Sequence, residues 1–243
     1  MGDFARGADE GRIEEVSSNI DPFLHPKFSK AYACVLADRY SHGTFRGCAV
    51  FDKFGIPKEL IATTRCKPWK AHYSPLTNRI SFNCKDDIGN VRGPGTTFFH
   101  EYGHYIANNV AIKIGESEEF KQLILNDVRA YTLNYMSQNN LRDEEAAIDH
   151  LTEFLYNRGA ITHAIQDLFG GALSHGEFCS RFAWGHEQRY WRSFQNDMGV
   201  STEAAAHMFE AQFSPDKYRL MEEFLPNAFN YYNRWLETLA TTI

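Results

Sequence analysis

Two histidines and a glutamate, spaced His-Glu-x-x-His within residues 97–106, have the clearest capacity for chemistry in this chain. On an α-helix His100 and His104 lie one turn apart on the same face, so both imidazoles can take corners of a tetrahedral Zn²⁺ site. Glu101 then lies beside the first ligand, where a carboxylate can reach a metal-bound water and act as general base. The flanking residues carry no charge and no proline, which is typical of a buried helix. The segment therefore predicts an active-site helix with one Zn²⁺ per chain; the alternative is two histidines on a half-buried helix.

The bulk composition narrows the class of protein. The 243 residues carry a formal net charge of −6 and no basic run, which argues against a nucleic-acid partner. No apolar stretch approaches the roughly 20 residues that span a bilayer, and the N-terminus has no apolar core of a secretion signal. The five cysteines are scattered without a Cys-x-x-Cys pair, a reduced pattern. We expect a cytoplasmic protein, or one delivered as part of a larger protein, with no membrane partner. The sequence does not predict the number of subunits.

The first third of the chain predicts a small sheet. Residues 1–20 have no hydrophobic period and are expected to form a flexible leader, and 21–243 one domain. Residues 26–40 predict a helix, and residues 47–64 alternate apolar pieces with turn residues, which favours short strands. Residues 79–84 alternate polar and apolar side chains with period two and predict the second strand of a hairpin.

The rest of the chain is strongly helical in pattern. Ser117 and Asp143 stand where two helices should begin, and Pro215 and Pro226 where two more should begin. A further helix from residue 160 is expected to end at Gly170-Gly171. The pattern favours an α+β fold with strands early and helices later.

A third metal ligand must come from outside the motif. Ala107 and Val110 stand where the metzincin extension needs Gly and His, which excludes that branch. In residues 201–211 a polar stripe of Glu203, His207 and Glu210 runs along one face of an otherwise apolar helix. Buried polar stripes must be paired or metal-bound, because an unpaired buried charge is costly. The alternative is a solvated helix face.

The motif helix, the preceding strand and the downstream Glu-x-x-Ala-x-x-Phe helix together resemble the glutamate-ligand zincins, the gluzincins. The closest resemblance is to the metalloprotease domain of anthrax lethal factor and to the zincin-like domains that accompany phage minor head proteins and bacterial toxins. The resemblance implies that Glu203 is the third ligand and that His207 holds a ligand in place without binding the metal. Glu210 is the main rival of Glu203 as third ligand and otherwise a second supporting residue. His207 as a fourth ligand would instead close the site and indicate a structural zinc.

The same resemblance implies a zincin-like fold, in which a small mixed sheet has its edge strand over the motif helix and the C-terminal half is mostly helical. The expected substrate-binding edge strand consists of Arg79, Ile80, Ser81, Phe82 and Asn83. An unpaired edge of this kind can hold an extended peptide by main-chain hydrogen bonds. The long segment between His104 and Glu203 implies a helical insertion at about residues 115–195.

Within that insertion, residues 167–171 and the later Gly185-His186-x-x-x-Tyr190-Trp191 resemble an element of the phage-associated domains. Tyr190 or His186 could donate a hydrogen bond to the oxyanion of a tetrahedral intermediate. The alternative is an aromatic cluster that packs the insertion onto the core.

These expectations favour a zinc endopeptidase with a protein or peptide substrate, in which Glu101 activates water at the metal. Such an enzyme could be a toxin, an effector or a phage-associated protease. The alternative is a catalytically inactive zincin-like module that keeps zinc for structure or interaction. The sequence does not name the substrate.

Overall fold

The computed structural model describes residues 23–67, 70–194 and 198–241, without the side chains of residues 174 and 175. The predicted leader at residues 1–20 lies outside the described residues. The described chain is α+β, with three short strands in its first part and helices in most of the remainder. The strands are β1 (Ile61–Thr63), β2 (His72–Ser74) and β3 (Arg79–Ser81). The helices are α1 (Lys30–Ser41), α2 (Phe45–Phe54), α3 (Cys84–Ile88), α4 (Thr96–Asn109), α5 (Glu118–Gln138), α6 (Glu144–Asn157), α7 (His163–Ala172), α8 (Gln188–Trp191), α9 (Met198–Ala211), α10 (Pro215–Phe224) and α11 (Pro226–Thr241).

The sheet is mixed, as expected, but its strand order differs from the prediction. The order is β1-β3-β2, with β1 parallel and β2 antiparallel to β3. Ile80 pairs with Ile61 on one side and with Tyr73 on the other. The expectation that Arg79, Ile80, Ser81, Phe82 and Asn83 form an edge strand is therefore wrong. An alternating pattern shows that one face of a strand is buried, but it does not say how many neighbours the strand has.

The edge strand that lies against α4 is β2. The Tyr73 ring packs edge-on against Tyr105, with ring centroids 6.3 Å apart. The Asn109 side chain at the end of α4 donates to the Tyr73 hydroxyl at 3.0 Å. The edge nearest the motif helix therefore belongs to His72–Ser74 rather than to residues 79–83.

Residues 47–64 form only one of the expected short strands, because helix α2 occupies the segment as far as Phe54. Thr44 begins α2, and its side chain accepts a hydrogen bond from the Gly47 amide. Buried Cys48 and Phe51 lie three residues apart on the face of α2 that packs into the core, which is a helical spacing. Only Ile61–Thr63 of this segment is a strand.

In the helical half, the helix starts expected at Ser117 and Asp143 are confirmed, and both side chains accept hydrogen bonds from amides in the first turn. The helix end expected at Gly170-Gly171 is wrong, because α7 continues through both glycines. Their role is close packing: a Cβ on Gly171 would lie 2.8 Å from the Trp191 ring. The glycines bring α7 against the segment around α8.

The most extensive contact between the described elements joins the motif helix α4 to α9. A Cβ on Gly103 would lie 2.8 Å from the Ala206 Cα and 2.9 Å from the Phe209 Cβ, so the two helices meet backbone to backbone. Phe99 stacks on Phe213 at 4.0 Å between ring centroids on the same side of α4. This packing holds the histidines of α4 directly opposite the polar residues of α9.

We predict that Gly103→Ala destabilises the fold by about 2 kcal/mol, since overpacking against atoms that cannot rotate away typically costs 1–3 kcal/mol. The free energy of unfolding, measured by chemical denaturation, checks this. Gly89→Ala is the matched control, because its Cβ would meet only the Asp86 carbonyl oxygen at 3.9 Å. A stability of Gly103→Ala equal to that of the control would contradict the close contact.

Candidate metal centre

The motif helix is anchored at its first turn by a carboxylate that the sequence did not single out. Asp87 on α3 accepts hydrogen bonds from the Thr97 amide at 2.8 Å and from the Phe98 amide at 3.1 Å. It also accepts from the Tyr32 hydroxyl at 2.7 Å, which ties α4 to α1. These bonds satisfy two of the amides that every helix leaves free at its N-terminus. They set the position from which α4 presents His100, Glu101 and His104.

The two motif histidines and Glu203 of α9 come together with the spacing of metal ligands. His100 Nε2 lies 3.4 Å from Glu203 Oε2, and His104 Nε2 lies 3.5 Å from Glu203 Oε1. Two donor atoms on a tetrahedral zinc, each at the usual bond length, lie about 3.3–3.5 Å apart. The Glu203 carboxylate is buried, and its Oε2 has no hydrogen-bond partner among the described residues. Each of these two contacts therefore has the separation expected of two ligands on one zinc ion.

Glu210 lies on the opposite side of the His100 ring. Its Oε2 is 3.6 Å from His100 Nδ1 and 3.7 Å from His207 Nδ1. Its Oε1 accepts from the Lys217 ammonium at 2.5 Å, and Lys217 also donates to the Thr96 hydroxyl at 2.7 Å. Glu210 therefore faces the nitrogen of His100 that is turned away from Glu203, and it already has a buried cation as its partner.

The charges of this buried group shift one another's pKa values. Burial alone would lower the pKa of His100, but the carboxylates of Glu203 and Glu210 raise it to about 10. Burial would raise the pKa of Glu203, but His104 and His100 hold it well below its ordinary value. The pKa of Lys217 falls to about 8, mainly through burial and against the attraction of Glu210. Without metal, the site is a set of carboxylates that protonated His100 and Lys217 neutralise.

Glu101 differs from these paired groups. Its residue is only 6 % exposed, and no described residue donates a hydrogen bond to its carboxylate. Its oxygens are not among the buried side-chain atoms that lack a hydrogen-bond partner in the described chain. A carboxylate that follows His100 directly on α4 is a candidate general base for water.

The segment between α4 and α9 supplies a second wall of the site. The Tyr190 hydroxyl donates to Glu203 Oε1, and the Tyr190 ring stacks on His186 with centroids 3.9 Å apart. Burial and the neighbouring Glu203 charge raise the pKa of Tyr190, so its proton stays on the phenol. His186 and His207 both bond the carboxylate of Asp167, at 3.0 and 3.1 Å. Tyr190 and His186 thus reach the group of predicted ligands.

Among the described residues, two overlapping sets of side chains have metal-binding atoms that all lie within 4.8 Å of one another, and His104 is in neither set. One consists of His100, Glu203 and His207, and the other of Asp167, His186 and Glu203. In the first set, His207 Nε2 is already bonded to Asp167, which leaves Nδ1 as its free donor atom. His207 can therefore act either as a ligand through Nδ1 or as a residue that holds the other ligands in place.

The structure brings His100, Glu101, His104, Glu203, His207, Glu210, Tyr190 and His186 into one group. Segment 79–83 lies outside this group: Arg79 pairs with Glu59 at 3.5 Å, and Asn83 caps α3. Sequence reasoning missed Asp87 and Lys217 and assigned no role to Asp167. The sequence around Asp87 and around Lys217 does not reveal their roles, because the groups that they bind lie on other helices.

Comparison of the chain with protein-family models, with curated proteins and with solved structures found no match in any of the three. None of the helices in the described part of the chain is long and apolar enough to cross a membrane. The site therefore has to be interpreted from its own geometry.

We predict that Lys217→Met lowers the free energy of unfolding by about 3–5 kcal/mol, because it leaves the buried Glu210 carboxylate without its cation. Denaturant titration at neutral pH measures this. The matched control is Lys113→Met, whose ion pair with Glu116 is exposed at 43 % and 70 %. We expect the control to change stability by less than about 0.5 kcal/mol. Equal effects of the two substitutions would show that Lys217 does not neutralise Glu210.

Proposed function

We propose that this protein is a zinc-dependent endopeptidase of the gluzincin type, with a zincin-like arrangement of its sheet and motif helix. The observation that carries the proposal is the pair of contacts from the two Glu203 oxygens to the Nε2 atoms of His100 and His104, at 3.4 and 3.5 Å. Neither a surface helix nor an ordinary apolar core requires two imidazoles and a carboxylate at this spacing.

In this proposal His100, His104 and Glu203 hold the zinc. When bound, the metal acts as a Lewis acid that polarises the peptide carbonyl and lowers the pKa of water. Glu101 accepts the proton of the attacking water and then passes it to the leaving amine. Glu210 orients His100 through Nδ1, a supporting role that carboxylates commonly have beside metal-bound histidines.

Tyr190 and His186 are the candidate donors to the oxygen of the scissile carbonyl. The proposal is supported by the contact of Tyr190 with Glu203, which brings the phenol to the ligand group. It is also supported by the stacking of His186 on Tyr190 at 3.9 Å. A donor held in this way stabilises the charge that develops on the oxygen as water attacks.

A peptide substrate would lie along β2 rather than along residues 79–83. The support for this assignment is that β2 is an edge strand in the described sheet and contacts α4 through Tyr73. The outer edge of His72–Ser74 can pair with an extended chain through main-chain hydrogen bonds. Pairing of this kind recognises the backbone of the peptide and does not select its side chains.

We predict that Glu101→Gln lowers kcat for peptide hydrolysis by at least about 10³-fold, since it removes the general base while keeping the shape of the side chain. Zinc content, measured by plasma mass spectrometry, should stay at about one per chain as in the parent, because Glu101 is not a ligand. Glu119→Gln on the exposed face of α5 is the matched control and should leave both values unchanged. Loss of zinc from Glu101→Gln would mean that Glu101 helps to hold the metal.

We predict different zinc affinities for Glu203→Gln and Glu210→Gln. Glu203→Gln should lose zinc under conditions where the parent chain retains it, because a neutral amide is a poor zinc ligand. Glu210→Gln should keep zinc with an affinity about 10- to 100-fold lower, the usual cost of losing a supporting group. Competition with a chelator measures both. The opposite order would make Glu210 the third ligand.

A second candidate function is a zinc-binding module without catalysis, which the buried set of His100, Glu203 and His207 favours. In that case His207 completes a closed site and the metal stabilises the fold. His207→Ala separates the two candidates. In an open catalytic site the variant keeps its zinc, whereas in a closed structural site it loses zinc and stability together. The proposals that the protein associates with a phage particle or acts as a toxin are supported by the sequence resemblance alone.

A further inference from the structure

A cavity of about 500 Å³ lies between one face of α5, the start of α6 and the end of α7. Small-molecule sites in proteins occupy roughly 300–1,000 Å³. None of the candidate metal ligands is among the described residues that line this cavity. The cavity therefore has the size of a ligand site and has no part in the proposed mechanism.

The floor of the cavity is a mostly apolar stripe along α5. Its side chains recur at helical spacing, which places them on one face of the helix: Leu125, Val128, Thr132, Leu133 and Met136. The Thr132 hydroxyl donates to the Val128 carbonyl at 2.9 Å, so the helix itself satisfies the one hydroxyl of the stripe. Residues 171–173 from the end of α7 are apolar and line the same cavity. Leu133 is nevertheless 55 % exposed, which leaves apolar surface in contact with water.

The lining also contains two arginines, and among the described residues neither of them forms an ion pair. Arg142 stands two residues before Glu144, which also lines the cavity and carries the opposite charge. Arg129 has no carboxylate on the adjacent turns of α5, where its neighbours are Leu125, Asn126, Thr132 and Leu133. The apolar stripe therefore passes a guanidinium that is free to bind an anion.

The dimensions of the cavity favour an extended chain over a peptide helix. From Arg129 to Met136 the helix rises by about 10 Å, which is the extended length of an acyl chain of about eight to ten carbons. A helix with its side chains is about 10 Å across, so a segment of that length needs more volume than the cavity has. Methylene groups gain free energy when they leave water for an apolar surface. A carboxylate at one end of such a chain matches the Arg129 guanidinium, which binds planar oxyanions through two hydrogen bonds.

We propose that this cavity binds a medium-chain carboxylate, an unbranched acyl chain whose carboxylate pairs with Arg129 and whose tail lies along α5 towards Met136. Two independent observations carry the proposal, the half-exposed apolar stripe and the guanidinium that no described carboxylate neutralises. The proposal does not rest on the peptidase function, because no candidate metal ligand lines the cavity.

The first test is calorimetric titration of the full, zinc-loaded chain with decanoate, 1-decanol and decyltrimethylammonium. Decanoate should bind saturably at one molecule per chain, and the neutral alcohol about tenfold more weakly, because it lacks the charge that pairs with Arg129. The cationic analogue should bind more weakly still. Octanoate should bind about tenfold more weakly than decanoate, since each buried methylene contributes about three- to fourfold in affinity. Absence of saturable decanoate binding, or equal binding of the three decyl compounds, would overturn the proposal.

Two exposed positions of the lining give variants that should fold like the parent chain. Arg129→Gln should weaken decanoate binding about tenfold and leave 1-decanol binding unchanged. Its matched control is Arg219→Gln on the exposed face of α10, outside the lining. Leu133→Glu should weaken decanoate binding at least about tenfold, because it puts a like charge and a polar group on the stripe. Its matched control is Leu76→Glu in the turn between β2 and β3, at a side chain that is 95 % exposed. Equal effects of a variant and its control would contradict the assigned site.

Methyl nuclear magnetic resonance locates the bound ligand. In methionine-methyl-labelled protein, assigned with Met136→Leu, decanoate should shift the Met136 signal with the same midpoint as the calorimetric titration. The Met208 signal, from a side chain that is 0 % exposed on α9, should stay in place. A saturating titration that leaves the Met136 signal unmoved would mean that the carboxylate binds elsewhere, the metal centre included, and would overturn the proposal.

Discussion

The close approach of α4 and α9 is the constraint on which the site depends. A Cβ on Gly103 would overlap the Ala206 backbone, so the two helices pack closer than a larger residue at position 103 would allow. At this separation one Glu203 carboxylate lies 3.4 and 3.5 Å from two histidines on the facing helix. Larger residues at the crossing would separate the helices and take Glu203 out of reach of His100 or His104.

The site concentrates charge inside the protein, and each charge has a neighbour that compensates it. Glu210 has Lys217, Asp167 has two histidines, and Glu203 has the two motif histidines. Unpaired, such groups would cost several kcal/mol each. The buried side-chain atoms that lack a hydrogen-bond partner in the described chain are Nδ1 of His100 and of His207, one oxygen each of Glu203 and Glu210, and two nitrogens of Arg39. A bound cation between His100, His104 and Glu203 would satisfy Glu203 and strengthen the contact of His100 with Glu210.

The segment between α4 and α9 is part of this centre rather than an addition to its surface. Helix α7 contributes Asp167 from its interior, and its glycines allow the segment around α8 to pack closely enough to bring Tyr190 to Glu203. Asp87 fixes the start of α4 in a similar way from α3. The groups that position the candidate ligands therefore come from elements that are distant in sequence, while the candidate ligands come from only two helices.

The sequence by itself determined what depends on local geometry. The spacing of His100 and His104 on a helix, the polar stripe of Glu203, His207 and Glu210, and the caps at Ser117 and Asp143 follow from the helical repeat and from hydrogen bonds within one turn. The tertiary structure decided which side of His100 each glutamate faces, that β3 is central rather than an edge, and that α7 continues through Gly170-Gly171. It also decided that Asp87, Asp167 and Lys217 belong to the site. These features depend on which segments meet in space. A periodic pattern indicates which residues are buried, but it does not indicate which residues they pack against.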